Sequence, residues 1–313
     1  MVSSAATSAL PISAPYTFYP QARVPAPKKL VGLNAALEAQ KNPEFEVKPE
    51  IFKEFSLPDG VAIVTGGNSG IGLEYSVCLA ELGATVYCLD MPESPSEEFL
   101  ACQSYVKRMP GNASLVFKRA DVTDEATMNS IFQNIAETHG KIDVVIANAG
   151  ILGPRASCNE YPADWFRKVM DVNVTGVFIT AQAASRQMIA TKTSGSIIVT
   201  ASMSGSIVNR DMPWCAYNAS KAAAAHLVKS MAAELGQFEI RVNSISPGHI
   251  QTAMTDVCLD AEPGLGNQWA FQNPMGRLGG VSELRGVCAY LASSASSYTT
   301  GSDILVCGGH HVW

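Results

Sequence analysis

Val61-Ala62-Ile63-Val64-Thr65-Gly66-Gly67-Asn68-Ser69-Gly70-Ile71-Gly72 runs from an unbroken apolar segment straight into a cluster of glycines. Consecutive apolar, mostly β-branched residues are what a strand buried on both faces requires. Gly66, Gly70 and Gly72 then permit a tight turn and close backbone approach, and a helical pattern follows near Ile71–Leu82. Strand, glycine turn and helix in that order aim free N–H groups and the positive end of a helix dipole at the turn. That is a setting for a pyrophosphate. The spacing is Gly-x-x-x-Gly-x-Gly, which differs from the Gly-x-Gly-x-x-Gly of the ordinary dinucleotide fingerprint.

Outward from this stretch, short β-branched runs alternate with longer helical patterns. Strands are expected at Val61–Thr65, Thr85–Leu89, Ser114–Arg119, Val144–Ala147, Gly195–Thr200, Arg241–Ser246 and Asp303–Val306. Helices are expected near Ile71–Leu82, Ser96–Met109, Glu125–His139, Ala163–Ala190, Tyr217–Gly236 and Val281–Ser293. Such alternation specifies an α/β fold, a doubly wound parallel sheet of seven strands with helices on both faces. Ligands are expected beyond the carboxyl ends of its strands. Residues 56–313 read as one domain. Residues 1–55 read as an amino-terminal extension rich in Ser, Ala and Pro, either partly disordered or wrapped on the domain or a neighbouring subunit. Organelle targeting is the less favoured reading of this segment, because Arg23 is its only arginine and its amphipathic pattern is poor.

The 313 residues carry a formal net charge of −6 without a Lys/Arg-rich run, which argues against a nucleic acid or an anionic membrane as the main partner. No apolar stretch approaches the roughly 20 residues that span a bilayer. Eight dispersed cysteines show neither a Cys-x-x-Cys pair nor metal-ligand spacing, so no metal is expected and a reducing, cytoplasmic location is the simpler inference.

Asp90 follows the second strand about 20 residues beyond the glycines, where an acid accepts hydrogen bonds from the adenosine ribose and repels a 2′-phosphate. Its sequence neighbours Met91 and Pro92, and Gly67 and Asn68 of the turn, are neutral. NAD(H) is therefore expected rather than NADP(H). Asp121-Val122 after the third strand could meet the adenine, although Asp121 could equally cap the next helix. Tyr217 and Lys221 stand at i and i+4, on one helix face. An ammonium there favours phenolate over phenol, which would fit the tyrosine for proton exchange near neutral pH. Taken alone the pair could equally be a solvated face.

Together these features resemble the short-chain dehydrogenase/reductase family from about Leu57 to Gly309. The matching motifs are Thr65-Gly-Gly-Asn-Ser-Gly-Ile-Gly72, Asp121-Val122, Ala147-Asn-Ala-Gly150, Asn173 within Asp171-Val-Asn-Val-Thr-Gly176, Ser202, Tyr217-x-x-x-Lys221, and Pro247-Gly248 with Thr252. The resemblance implies a Rossmann-type domain in which Tyr217 is the acid/base and Lys221 lowers its pKa while holding the nicotinamide ribose. Ser202 would bond the substrate oxygen, and Asn173 would hold a water linking Lys221 to solvent. It also implies that Gly66, Asn68, Ser69, Gly70, Ile71 and Gly72 cradle the cofactor phosphates. Asp90, Asp121 and Val122 would then meet its adenosine, and Asn148, Ala149 and Gly150 the cleft between. Pro247, Gly248, Ile250 and Thr252 would reach the nicotinamide end. The chemistry asks for such a set independently. Hydride arriving at a carbonyl carbon leaves charge on oxygen, which a hydroxyl donor stabilises and a nearby acid neutralises.

Within the family the likeness is to fungal-type ketose reductases and polyol dehydrogenases of the sorbose, mannitol and arabinitol kind, carried by Ile198-Val-Thr-Ala-Ser-Met-Ser-Gly205, Ile245-Ser-Pro-Gly248 and Thr300-Gly-Ser-Asp303. The expected function is NAD(H)-dependent interconversion of a secondary alcohol and a ketone, with a polyol/ketose pair in front. Leu152, Trp214, Met254, Leu265, Trp269, Phe271 and Met275 could instead form an apolar wall for a cyclic or aromatic ketone, or pack against another subunit. A nucleotide-sensing binding module is the non-enzyme alternative. Family members commonly assemble as dimers or tetramers, so a homo-oligomer is expected.

Overall fold

The computed structural model describes residues 30–313, and the chain divides into two compact units, one ending at Val47 and one spanning Lys48–Trp313. The first contains helix α1, Leu33–Lys41. The expectation of a disordered or wrapping extension concerns in the main residues 1–29, which lie outside the described residues.

In the second unit the order is α2 (Ile51–Glu54), β1 (Val61–Thr65), α3 (Gly70–Glu81), β2 (Thr85–Asp90), α4 (Glu97–Lys107), β3 (Ser114–Arg119), α5 (Glu125–His139) and β4 (Val144–Ala147). There follow α6 (Ala163–Met170), α7 (Gly176–Thr191), β5 (Gly195–Thr200), α8 (Cys215–Leu235), β6 (Ile240–Pro247), α9 (Ala253–Ala261), α10 (Leu265–Gln272), α11 (Arg285–Ala292) and β7 (Asp303–Val306). The seven strands form one sheet in the order β3-β2-β1-β4-β5-β6-β7, and every pairing is parallel. The strand order reverses between β1 and β4, and there the carboxyl ends of the strands open a crevice.

Every residue of β1 and of β4 is buried, as the apolar runs require. One apolar cluster joins Ile63, Val145 and Val199 to Phe132 of α5, Met188 of α7 and Val228 of α8. The other joins Val64, Ile146 and Ile198 to Leu79 of α3, Phe99 of α4 and Leu291 of α11. Successive residues of a strand thus feed opposite layers.

Two expectations are corrected. The single helix expected over Ala163–Ala190 is two, separated by a π turn at Asp171–Thr175 in which the Gly176 N–H donates to the Asp171 carbonyl. The widened turn contains Asn173, whose amide is committed to the Ile151 backbone and the Ser220 hydroxyl. The segment 253–280, where the sequence reading expects no helix, contains α9 and α10. Thr252 caps α9 by accepting from the Thr255 N–H.

Candidate active site

The β1–α3 turn is built by glycine where nothing else fits. Gly66 has φ +65°, and a Cβ on Gly72 would stand 2.1 Å from the Gly66 carbonyl oxygen. The first turn of α3 therefore lies directly on the loop. Ser69 precedes α3 without spending its side chain on a cap, and the first intrahelical bond is Leu73 N–H to Ser69 O at 3.2 Å. The N–H groups of the first turn are left for an anion.

The loop is braced from both sides. The Thr65 hydroxyl accepts the N–H groups of Asn148 and Ala149 at 3.0 and 3.1 Å, and the Asn148 amide donates to the Gly66 carbonyl at 3.3 Å. Asp90 accepts from the N–H of Asn68 at 3.1 Å and of Met91 at 2.8 Å. Buried Asn68 accepts the Ser96 N–H at 2.8 Å, while its carbonyl takes the Ser96 hydroxyl at 2.7 Å. Asn68 thus ties the turn to the start of α4, and it is absent from the wall of the cleft. Asp121 accepts both the N–H and the hydroxyl of Thr123, at 2.9 and 2.7 Å. The cap of α5 is Asp124, so the alternative reading of Asp121 as a helix cap does not hold.

A cleft of about 1190 Å³ runs along the carboxyl ends of the strands. Its wall brings together Gly66, Ser69, Gly70, Ile71, Gly72, Asp90, Asp121, Val122, Asn148, Ala149, Gly150, Ser202, Tyr217, Lys221, Pro247, Gly248, Ile250 and Thr252. Lys168, Val172 and Gln251 line it too, unforeseen from sequence because no motif marks them. Glycine backbone, helix N–H groups and the Asp90 carboxylate in one long cleft fit a nicotinamide dinucleotide.

Lys221, one turn beyond Tyr217 on α8, is buried and donates to the Thr200 carbonyl at 2.7 Å. Its Nζ lies 5.7 Å from the centre of the Tyr217 ring. Burial pulls the ammonium down to about 8, so the charge is still carried at neutral pH. Burial also raises the Tyr217 phenol above its ordinary value, while a hydrogen bond with Ser202 works in the opposite direction. The lowered tyrosine pKa expected from the i, i+4 spacing is not produced by the protein's own groups.

Ser204 and Ser206 lie close to Ser202 in sequence, and the structure separates the three. Ser202 lines the cleft, its Oγ oriented by the Ser204 N–H at 3.1 Å. Ser204 is buried and accepts from Asn209 at 2.7 Å, and Ser206 is exposed. Asn173, fully buried, donates to the Ile151 carbonyl at 2.9 Å and to Ser220 Oγ at 3.0 Å, and accepts the Ile151 N–H at 2.8 Å. Its side chain is a strut behind the cleft. Ser220, which donates on to the Tyr217 carbonyl at 2.7 Å, completes that strut and carries no motif of its own.

Beside Tyr217, buried Met212, Trp214, Leu265 and Trp269 pack with it and with Leu152. Phe271 and Met275, expected in the same wall, are exposed at 89% and 61%. The α9–α10 cover is tied down by an ion pair between Arg155 and Glu262 and by Gln268 donating to Asp211 at 3.4 Å. His249 stacks on Trp269 with ring centres 4.0 Å apart and planes 4° from parallel. Burial, with His310 beside it, takes its pKa down to about 3. His249 is therefore a neutral, buried ring stacked on Trp269, and it is absent from the wall of the cleft. Among the described residues no group of three or more His, Cys, Asp or Glu could hold a metal ion, and no helix is long and apolar enough to cross a membrane.

Residues 66–311 match the family model described as enoyl-(acyl carrier protein) reductase. The chain is 38% identical over 265 residues to short chain dehydrogenases/reductase notP′ of Aspergillus versicolor, covering 83% of this chain and 89% of that one. It is also 38% identical over 256 residues to sorbose reductase sou1 of Schizosaccharomyces pombe, covering 82% and 97%. Among solved structures, a short-chain type dehydrogenase/reductase from Mycobacterium marinum superposes with a TM-score of 0.77 at 38% identity, covering 83% of this chain and 98% of that one. With this fold, this cleft and these matches, the chain belongs to the short-chain dehydrogenase/reductase family of oxidoreductases.

Proposed function

We propose that this oxidoreductase interconverts a secondary alcohol and a ketone with NAD(H), Tyr217 exchanging the proton. The observation that carries the reading is Ser202 and Tyr217 standing together on the wall of the cleft, with the buried Lys221 ammonium 5.7 Å from the centre of the Tyr217 ring. When bound, the cofactor supplies or accepts the hydride. Ser202 holds the substrate oxygen, Tyr217 Oη gives it a proton in reduction and takes one in oxidation, and Lys221 keeps positive charge where phenolate forms. Asn173 positions Tyr217 and the cleft backbone through Ser220 and Ile151. Any water joining Lys221 to solvent would have to be held there by backbone, since the Asn173 amide is already engaged.

Asp90 supports NAD(H), because a carboxylate beside the adenosine ribose accepts hydroxyls and repels a phosphate. A polyol/ketose pair is the leading substrate class. Likeness to sorbose reductase supports it, as do Ser202, Gln251 and Asp256 on the cleft wall. The apolar cluster of Trp214, Leu265 and Trp269 favours a second reading, a cyclic or aromatic ketone. Half-exposed Trp165, Phe166 and Phe178 on α6 and α7 support assembly into a homo-oligomer, and the eight free thiols support a reducing, cytoplasmic setting.

The test is oxidation of NADH followed by absorbance against sorbose, fructose, xylulose, cyclic and aryl ketones, with Tyr217→Phe alongside. A ketose turned over with NADH, and a loss of about 10²–10⁴-fold in the variant with cofactor binding retained, is the expected result. Activity confined to apolar ketones would establish the second reading, and unchanged turnover in Tyr217→Phe would sink the proposed chemistry.

A further inference from the structure

Parallel pairing of β2 with β3 sets Arg119 opposite Asp90. Sequence distance hid this neighbour, because the residues beside Asp90 along the chain are neutral. Arg119 Nε donates to the Met91 carbonyl at 3.3 Å, and Nη1 lies 2.9 Å from Glu93 Oε1. Met91, Asp90, Ala120 and Asp121 all line the cleft, so the guanidinium is held at the rim of its adenosine end. Both partners are open to water, with side chains 62% and 78% exposed, and an exposed pair of this kind is opened at little cost. A guanidinium presents a planar fork of donors suited to a phosphate, which Glu93 now occupies in part. Asp90, for its part, is engaged by the N–H groups of Asn68 and Met91.

We propose that the Arg119–Glu93 pair is a second determinant of cofactor choice: Glu93 holds Arg119 away from the position of a 2′-phosphate, and without Glu93 the arginine would accept one. The proposal rests on the reading that the cleft takes a nicotinamide dinucleotide whose ribose Asp90 meets. On this account the rejection of NADP(H) is shared between Asp90, which repels the phosphate, and Glu93, which withholds its natural partner.

The experiment is calorimetric titration of NAD⁺ and NADP⁺ separately into the full-length protein without substrate, at low and moderate salt. Wild type, Glu93→Gln, Arg119→Ala and the double variant are compared. Glu93→Gln should tighten NADP⁺ by about two- to fivefold, more at low salt, and leave NAD⁺ unchanged. The double variant should lose that gain. An unchanged NADP⁺ affinity in Glu93→Gln, or a gain that survives removal of Arg119, would overturn the proposal. The Asp90 reading fails separately, if wild type itself binds NADP⁺ more tightly than NAD⁺. The pair is judged only by the difference between Glu93→Gln and the double variant.

Discussion

Lys221 carries a charge that the fold does not favour, and its burial has a measurable signature. Its pKa is lowered from 10.5 to about 8. Below pH about 8 the lysine is charged in both folded and unfolded chains, and the burial penalty is fully present. Between there and 10.5 the unfolded chain holds a proton that the native protein has released, so stability rises with pH through this window. The rise amounts to about 3 kcal/mol at 1.36 kcal/mol per unit. Urea unfolding of wild type minus Lys221→Met, from pH 7 to 11, should show that slope; a flat difference would mean the ammonium is better solvated than its burial implies. Asn173 makes the companion case. Asn173→Ala would strip partners from the N–H and carbonyl of Ile151, at a cost of about 1–3 kcal/mol for each group left unpaired. A lowered melting temperature together with lowered activity is expected, and unaltered stability would show that water replaces the amide. Tyr217, Lys221 and Ser202 were legible as letters in a motif. The direction of the tyrosine's pKa was not, because spacing on a helix face reports proximity to the lysine and says nothing about desolvation.

At the scale of elements, the β1–α3 turn shows how much of the site is backbone. Gly72→Ala would drive a methyl into the Gly66 carbonyl, 2.1 Å away, so the turn or the first turn of α3 must move. NADH fluorescence titration should show weakened binding, with the sheet's far-ultraviolet circular dichroism retained. Unweakened binding would show that the loop relaxes without disturbing its N–H groups. The strands were legible here to within a residue or so, because strands buried on both faces carry a strong apolar signal. Ala163–Thr191 was legible only as helix. The π turn at Asp171–Thr175 contains Asn173, which bonds Ile151 and Ser220 across the fold, and periodicity along one segment holds no trace of such bonds. Helices α9 and α10 escaped for the opposite reason. Their length is short and the pattern is interrupted by Glu262-Pro263-Gly264, so the apolar residues read as an irregular cover.

Over the whole second unit, the helices either side of the sheet and the α9–α10 cover are separable layers with different roles. Trp269 anchors the cover through contacts with His249 and Trp214 at 4.0 and 6.3 Å between ring centres. Trp269→Ala should therefore loosen the cover before the sheet, at a cost of about 3–5 kcal/mol to the local packing. Limited proteolysis should cut first between residues 253 and 272, with the sheet retaining its hydrogen-exchange protection. Cleavage spread evenly over the chain would show that the cover and sheet unfold as one. By itself the sequence determined the α/β class, the parallel sheet, the glycine turn and the placing of Tyr217 and Lys221 on one helix face, because each rests on local periodicity or on short spacings that one element enforces. Tertiary structure alone decided that Asn68 faces α4, that Ser202 and not Ser204 reaches the cleft, that His249 is a neutral stacked ring, and that Arg119 stands beside Asp90. Those outcomes depend on which distant groups strand register and layer packing bring within bonding distance, and on how much water they exclude.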